Sequence, residues 1–333
     1  MAESGCDLSE KDGFLVSNIQ QGTPSVLDTQ STPTLHDLPF RAADFSTLSE
    51  ALDYAAQGET GANFYTGRGE MYATLPYAEL RASARVLARK LLGMGLEKGD
   101  HVALIAETNP EFLQFFFACQ YAGLVPVALP ASIKLGGHTT YVKQLRGLLE
   151  SSQAVVAMAP EGYVPYLEEA GEGLGLRMVG APETFNSLPE ADVAFPESGP
   201  EDVAYIQYTS GSTKFPRGVV IKQRSVMSNL GGIIRHGVMI GPGDRCFSWL
   251  PFYHDMGLVG LVLVPVASQM SVDYLDTREF AMRPRQWLNL MTRTRATISF
   301  SPPFGYELCT RRLREGEAAK YDLSNWRVAG VGQ

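Results

Sequence analysis

The stretch YTSGSTKFPRGV, residues 208–219, decides how this sequence is read. It gathers the hydroxyls of Thr209, Ser210, Ser212 and Thr213, the glycines Gly211 and Gly218, the stiffening Pro216, and the cations Lys214 and Arg217. Clusters of Ser, Thr and Gly between apolar segments are ordinarily turns, so a plain surface loop is one reading and a cradle for an anion is the other. The flanks narrow the second. VAYIQY runs straight into Thr209 and GVVIK begins at Gly218, so the loop joins two predicted strands and opens no helix. A Walker A loop requires GxxxxGK[ST] and a helix, whereas here six residues separate Gly211 from Gly218 and no Lys-Ser pair is present. No GxGxxG follows a strand, and without GxSxG Ser210 and Ser212 lack the setting of an acylated nucleophile. What the loop can offer is backbone N–H groups laid open at Gly211, hydroxyls, and two cations that would neutralise a polyphosphate. Gly211 and Gly218 would let the backbone approach it closely.

Upstream, residues 182–202, PETFNSLPEADVAFPESGPED, are rich in Pro, Glu, Asp and Ser and read as a linker. Before them the chain alternates between periods. Thr47 with Glu50 forms a capping box ahead of Leu48, Leu52 and Ala55, and Leu80, Ala84, Leu87, Ala88 and Leu91 share one face of a second helix. HVALIA is a strand; Asn109 and Pro110 open the apolar helix PEFLQFFFACQYAG; LVPVAL and QAVVAM are further strands. Strand–helix–strand units of this kind predict an α/β fold. The expected organisation is a polar segment over 1–45, a first α/β subdomain over 46–181, the linker, and a second α/β subdomain over 203–333 that carries the loop.

Downstream, FSWLPFYHDMGLVG, 247–260, places His254 and Asp255 before an apolar helix. His254 is either a surface or capping histidine or a group that meets substrate, and Asp255 serves equally as the N-cap of the helix at Gly257. In TISFSPPFGYELC, a strand over 297–301 is broken by Pro302 and Pro303 before a helix near Phe304. Phe304, Tyr306 and Leu308 at helical spacing read as core or as the wall of an apolar cavity.

YTSGST followed by PRGV resembles the phosphate-binding signature of the adenylate-forming superfamily, which includes acyl-CoA ligases, luciferases and peptide-synthetase adenylation domains. Many members have Lys where this chain has Arg217, so charge is kept while the planar fork replaces a point charge. QYTSGSTKFPRGVV, LPFYHDMGLVG, RPRQWLNLM and TISFSPPFGYELCTRRL together resemble the fatty acyl-AMP ligase branch, as does FLQFFFACQYAGLVPVAL, over roughly residues 47–332. The resemblance implies the family's N-terminal domain, with stacked α/β subdomains and mostly parallel sheets flanked by helices. It implies activation of a fatty acid by ATP and Mg2+ to acyl-AMP with release of pyrophosphate, for transfer to an acyl carrier protein. On it, Thr209, Ser210, Gly211, Ser212, Thr213, Lys214 and Gly218 hold the ATP phosphates, and Arg217 and His254 act on the reacting groups. Met256, Gly257, Ser301, Pro302, Phe304 and Tyr306 border the acyl chain, and no side chains are assigned as metal ligands. The chain ends at NWRVAGVGQ, before the family's adenine and ribose contacts and the C-terminal domain with its catalytic Lys. The expectation is therefore a chain that folds and does not turn over alone. A CoA ligase of the same superfamily and a non-catalytic binding module are the alternatives.

Composition bounds the partners. The chain has 333 residues, 45% of them hydrophobic, and 28 Lys and Arg against 36 Asp and Glu give a net charge of -8. Its cations are scattered, so no basic stripe recommends nucleic acid or an anionic membrane. Cys6, Cys119, Cys246 and Cys309 show no metal-ligand spacing, and the acidic start MAESGCDLSEKDG has no apolar core of a signal peptide. A reducing, cytoplasmic setting is expected. GLVGLVLVPVA, 257–267, is too short to span a bilayer and contains Pro265, which predicts a buried helix and no membrane insertion.

Overall fold

The computed structural model describes residues 38–131, 137–209, 216–314 and 316–332. Among these the chain forms α1 (Leu48–Ala55), β1 (Gly61–Tyr65), β2 (Met71–Pro76), α2 (Tyr77–Gly93), β3 (His101–Ile105), α3 (Pro110–Ala122), β4 (Val125–Leu129), α4 (Gly137–Ser152), β5 (Val156–Met158), α5 (Val164–Gly171), β6 (Met178–Gly180) and α6 (Pro182–Asn186). There follow β7 (Val203–Thr209), β8 (Arg217–Lys222), α7 (Gln223–Gly232), β9 (Arg245–Ser248), a π-helix (Met256–Leu263) running into α8 (Val264–Ala267), β10 (Ser271–Leu275), α9 (Thr277–Met282), α10 (Arg285–Thr294), β11 (Ile298–Ser301), α11 (Pro303–Arg312) and β12 (Val328–Val331).

Local chemistry accounts for the helix starts. Thr47 Oγ1 accepts from the Glu50 N–H at 3.2 Å, and the Glu50 carboxylate in return accepts from the Ser46 N–H at 2.8 Å, so the expected capping box closes one residue early. Asn109 accepts from the Phe112 N–H at 2.9 Å ahead of Pro110, and Gly123 stops α3 with φ +68°. Phe112, Phe115, Phe116 and Phe117 are all buried, so α3 has no solvent face to mark its period. Each such ring contributes about 1.5–3 kcal/mol by leaving water.

The strands form two six-stranded sheets, in the orders β6-β5-β3-β4-β7-β8 and β12-β11-β9-β10-β1-β2. In each, the strands run parallel except for one antiparallel edge, β8 on β7 and β2 on β1. Parallel strands are covered on both faces and read as continuous apolar runs, which is how VPVAL of β4 comes to be buried throughout. Along β3, Val102 and Leu104 face a core shared with the second sheet, while Ala103 and Ile105 face a separate cluster under α4 and α5. In the second sheet the buried carboxylate of Asp273 on β10 is clamped by Arg245 of β9 at 2.6 and 2.7 Å and by Asn63 of β1 at 2.9 Å.

The expected α/β architecture is present, with sheet membership differing from the expected division of the chain. Residues 182–202 connect β6 to β7 of one sheet, and β1 and β2 belong with β9 to β12. Part of the expected linker is the helix α6, whose Phe185 is buried edge-on against Phe115 at 5.2 Å. Composition records that a segment is polar; it carries no information on which strands pair across it.

Candidate active site

The hairpin β7–β8 aligns Thr209 opposite Arg217 and Tyr208 opposite Gly218, so Thr209 and Arg217 stand exposed on the two sides of the hairpin mouth. Ser210, Gly211, Ser212, Thr213 and Lys214 lie outside the described residues. Among the described residues no ion pair engages Arg217. A Cβ at Gly218 would meet Ile206 Cγ2 at 3.1 Å and the Tyr208 ring at 3.3 Å, so here the glycine first serves cross-strand packing. Tyr208 is anchored beneath the mouth by donating to the Leu148 carbonyl at 3.1 Å.

The second motif leaves β9 and turns at Pro251, whose carbonyl accepts from the His254 N–H at 3.2 Å. Asp255 Oδ1 accepts from the Met256 N–H at 2.7 Å, which is the N-cap role expected for it, and lies 2.8 Å from His254 Nδ1. Both side chains remain accessible, 45% for His254 and 74% for Asp255, so capping leaves them open to a ligand. Gly257 has no freedom to vary: a Cβ there would lie 2.1 Å from the Pro251 carbonyl oxygen. The helix that follows is a π-helix, with the Val264 N–H bonded to the Val259 carbonyl. Such wide turns are uncommon and recur at functional sites.

Beside this helix is an apolar cavity of about 530 Å³, a size suited to a small ligand or an acyl chain. Met256 and Val259 wall one side, Phe300 of β11 and Val328 of β12 another, and Val238 and Ile240, in the segment between α7 and β9, close it. Asp255 lies at the same cavity. Burial, and then the charge of Asp255, push the Tyr205 phenol on β7 well above its ordinary range. Tyr205 of β7, three residues before the first motif, is linked to Phe252 of the second by ring contacts through Phe116 and Phe112, at 5.9, 6.0 and 5.5 Å.

Of the residues expected to border an acyl chain, only Met256 lines this cavity. Ser301 Oγ donates to the Pro302 carbonyl at 2.7 Å, and Gly305 is packed so closely that a Cβ would lie 2.1 Å from that oxygen. Phe304 is 55% exposed and touches Trp249 by its edge. Tyr306 donates to the Gly330 carbonyl at 2.8 Å and stacks near Trp326, with its phenol pushed up to about 12 by burial. Gly257, Ser301, Pro302, Phe304 and Tyr306 lie outside the lining of this cavity. Apolar side chains read alike in a core and in a cavity wall, so the sequence does not say which of the two each of them joins. Of the other lining residues, Val238 and Ile240 come from a segment that shows no motif in the sequence, while Phe300 lies within TISFSPPFGYELC and Val328 within NWRVAGVGQ.

Among the described residues no group of three or more His, Cys, Asp or Glu is placed to hold a metal ion, and no helix is long and apolar enough to cross a membrane.

The profile of the AMP-binding enzyme family matches residues 52–333. A putative acyl-CoA synthetase of Caulobacter vibrioides is 47% identical over 302 residues, covering 90% of this chain and 52% of its own. The medium-chain-fatty-acid–[acyl-carrier-protein] ligase JamA of Moorena producens is 28% identical over 298 residues, covering 87% of this chain and 50% of its own. A structure of the fatty acyl-adenylate ligases of E. coli and L. pneumophila superposes with a TM-score of 0.85 at 52% identity, covering 89% of this chain and 53% of its own. The fatty acyl-adenylate ligase of L. pneumophila in complex with acyl adenylate and pyrophosphate superposes with a TM-score of 0.75 at 27% identity, over 87% of this chain and 50% of its own. The chain spans about half the length of the curated relatives it matches.

Proposed function

Since this chain belongs to the AMP-binding enzyme family, we propose that the protein carrying it activates a fatty acid with ATP to acyl-AMP and passes the acyl group to an acyl carrier protein. The observation that carries this reading is that one chain presents an exposed hairpin mouth bearing Arg217 and Thr209 and an apolar cavity lined by Asp255 and Met256 of the second motif. Phosphates need the first and a hydrocarbon chain needs the second. A fatty acid carboxylate oxygen attacks the α-phosphorus, the bond to the β-phosphate oxygen breaks, and pyrophosphate leaves; no covalent bond to the protein forms. Catalysis of such a displacement consists of alignment and charge neutralisation. Arg217 and Thr209, with Ser210 to Lys214 and Gly218, hold the departing pyrophosphate, and His254 borders the carboxylate. The donor set is cationic and hydroxylic, with no carboxylate cluster among the described residues, and so fits the triphosphate itself. Mg2+ carried by the triphosphate would supply further charge neutralisation there.

Cys119, Cys246 and Cys309 are buried free thiols, which supports a reducing, cytoplasmic setting. Two experiments test the reading on the whole protein. Fatty-acid-dependent exchange of pyrophosphate into ATP is expected, and its absence with medium and long chains alike would overturn activation in favour of a binding module. The name of the C. vibrioides relative raises CoA as the acceptor; acyl transfer to holo carrier protein with no release of acyl-CoA is expected, and the reverse would make the protein a CoA ligase.

A further inference from the structure

Three buried glutamines lie in or beside the first sheet, and two of them are fully engaged. Gln120 donates to the Ala204 carbonyl at 2.8 Å and accepts from Gln223 at 2.8 Å, while Gln223 in turn accepts from the Leu48 N–H at 3.0 Å. Gln207, 7% exposed, is different: its Nε2 is buried and has no hydrogen-bond partner among the described residues. An amide donor sealed from water without an acceptor is costly, and native structures supply an acceptor for nearly every such group. Four other buried side-chain atoms among the described residues share this condition, those of Thr60, Trp249, Glu279 and Thr292, so it is the position of Gln207 that points to an acceptor arriving from outside.

The position of Gln207 indicates which acceptor. It lies near the C-terminal end of β7, two residues before Thr209, and β7 runs parallel to β4. Ligands of such sheets bind beyond the carboxyl ends of the parallel strands. By the two-residue period of a strand, Gln207 shares its face with Tyr205 and Thr209, whereas Ile206 and Tyr208 face the cluster under α4. Tyr205 packs on Phe116, and Phe116 through Phe112 on Phe252 of the second motif, at 5.9, 6.0 and 5.5 Å. The face that bears the open amide is therefore the face turned toward the second motif.

We infer that Gln207 is a substrate-binding residue, its Nε2–H held for an oxygen of the bound acyl adenylate, either the acyl oxygen that comes from the substrate carboxylate or a charged phosphate oxygen. This rests on the proposed adenylate-forming activity. It predicts an unusual pairing of effects. Replacing Gln207 by an apolar side chain of similar length removes a buried donor that has no partner among the described residues of the free protein, so stability is kept or gained while ligand affinity falls. A glutamine serving only the fold, as Gln120 and Gln223 do, would show the opposite.

The test uses Gln207→Met, with Gln207→Leu as the second shape, in the whole protein. Melting temperature and affinity are measured with Mg-ATP, with dodecanoate, and with a hydrolysis-resistant dodecanoyl-adenylate analogue. Melting temperatures at or above the parent's are expected, with the analogue bound about ten- to a hundredfold more weakly, the value of one hydrogen bond to a charged group. Weakening with Mg-ATP alone assigns the contact to a phosphate oxygen, and weakening with dodecanoate alone assigns it to the carboxylate. Lower melting temperatures in both variants, or unchanged affinity for the analogue, overturn the inference. A parent protein that binds neither Mg-ATP nor the analogue overturns the proposed function, and this inference with it.

Discussion

Each sheet ends in a hairpin whose second strand is the antiparallel edge, and the two connecting segments begin alike, Tyr65-Thr66-Gly67-Arg68 after β1 and Tyr208-Thr209-Ser210-Gly211 after β7. In the first, the polar groups are consumed locally. Thr66 Oγ1 lies 3.3 Å from the N–H groups of both Arg68 and Glu70, and the Thr66 carbonyl accepts from Gly69 at 2.8 Å. Gly69, at φ +84°, sits where a Cβ would lie 2.2 Å from Gln286, so the turn is also packed on α10. At the mouth of the second, Thr209 and Arg217 face each other across the hairpin and are exposed. Composition alone does not make a turn a site. A turn that satisfies its own donors and acceptors has none to offer, whereas cations and hydroxyls held apart on an antiparallel frame are available to an anion.

The largest expected difference between the hairpins is catalytic. In the whole protein, Arg217→Ala should slow pyrophosphate exchange by about 10²- to 10³-fold, the usual loss for one group that stabilises transition-state charge, and Arg217→Lys by much less; Arg68→Ala should leave the rate unchanged. Equal rates for all three would remove the distinction. Next in size is Gly69→Ala, which forces a Cβ into the left-handed region and against Gln286. Thermal or denaturant unfolding should show a loss of about 1–3 kcal/mol, with exchange per folded molecule unaltered. Thr66→Val takes the acceptor from two backbone N–H groups and should cost about 1 kcal/mol by the same measurement. Smallest is Gly218→Ala: its neighbours at 3.1 and 3.3 Å are side chains that can yield, so stability should change by under about 1 kcal/mol. A larger loss would mean that the hairpin frame itself needs the glycine.

Much of this was legible before any coordinates. The caps at Thr47 and Asn109, the buried face of α2, the strands around β3, β4 and β5, and the strand–loop–strand setting of residues 208–219 follow from period and capping chemistry, which act between near neighbours. The strands β1, β2, β6, β10 and β12 were not read. β6 and β12 are short, and β2 is an edge strand that exposes Met71 and Tyr72, so the period that signals burial is weak or absent. At Phe304 and Tyr306 the sequence shows apolarity without showing what each ring faces, and neither ring lines the apolar cavity.

What the sequence by itself determined is the set of local commitments: which segments turn, which helices start where, and which loop carries cations and hydroxyls between strands. Those depend on residues a few positions apart. Only the tertiary structure decided that β1 and β2 pair into the sheet of β9 to β12, that Asp255 lies within electrostatic reach of Tyr205, that four unrelated segments wall one cavity, and that Gln207 is buried without a partner among the described residues while Gln120 and Gln223 are satisfied. Strand order and burial arise from the packing of surfaces far apart in the chain, and no local pattern encodes which surfaces will meet.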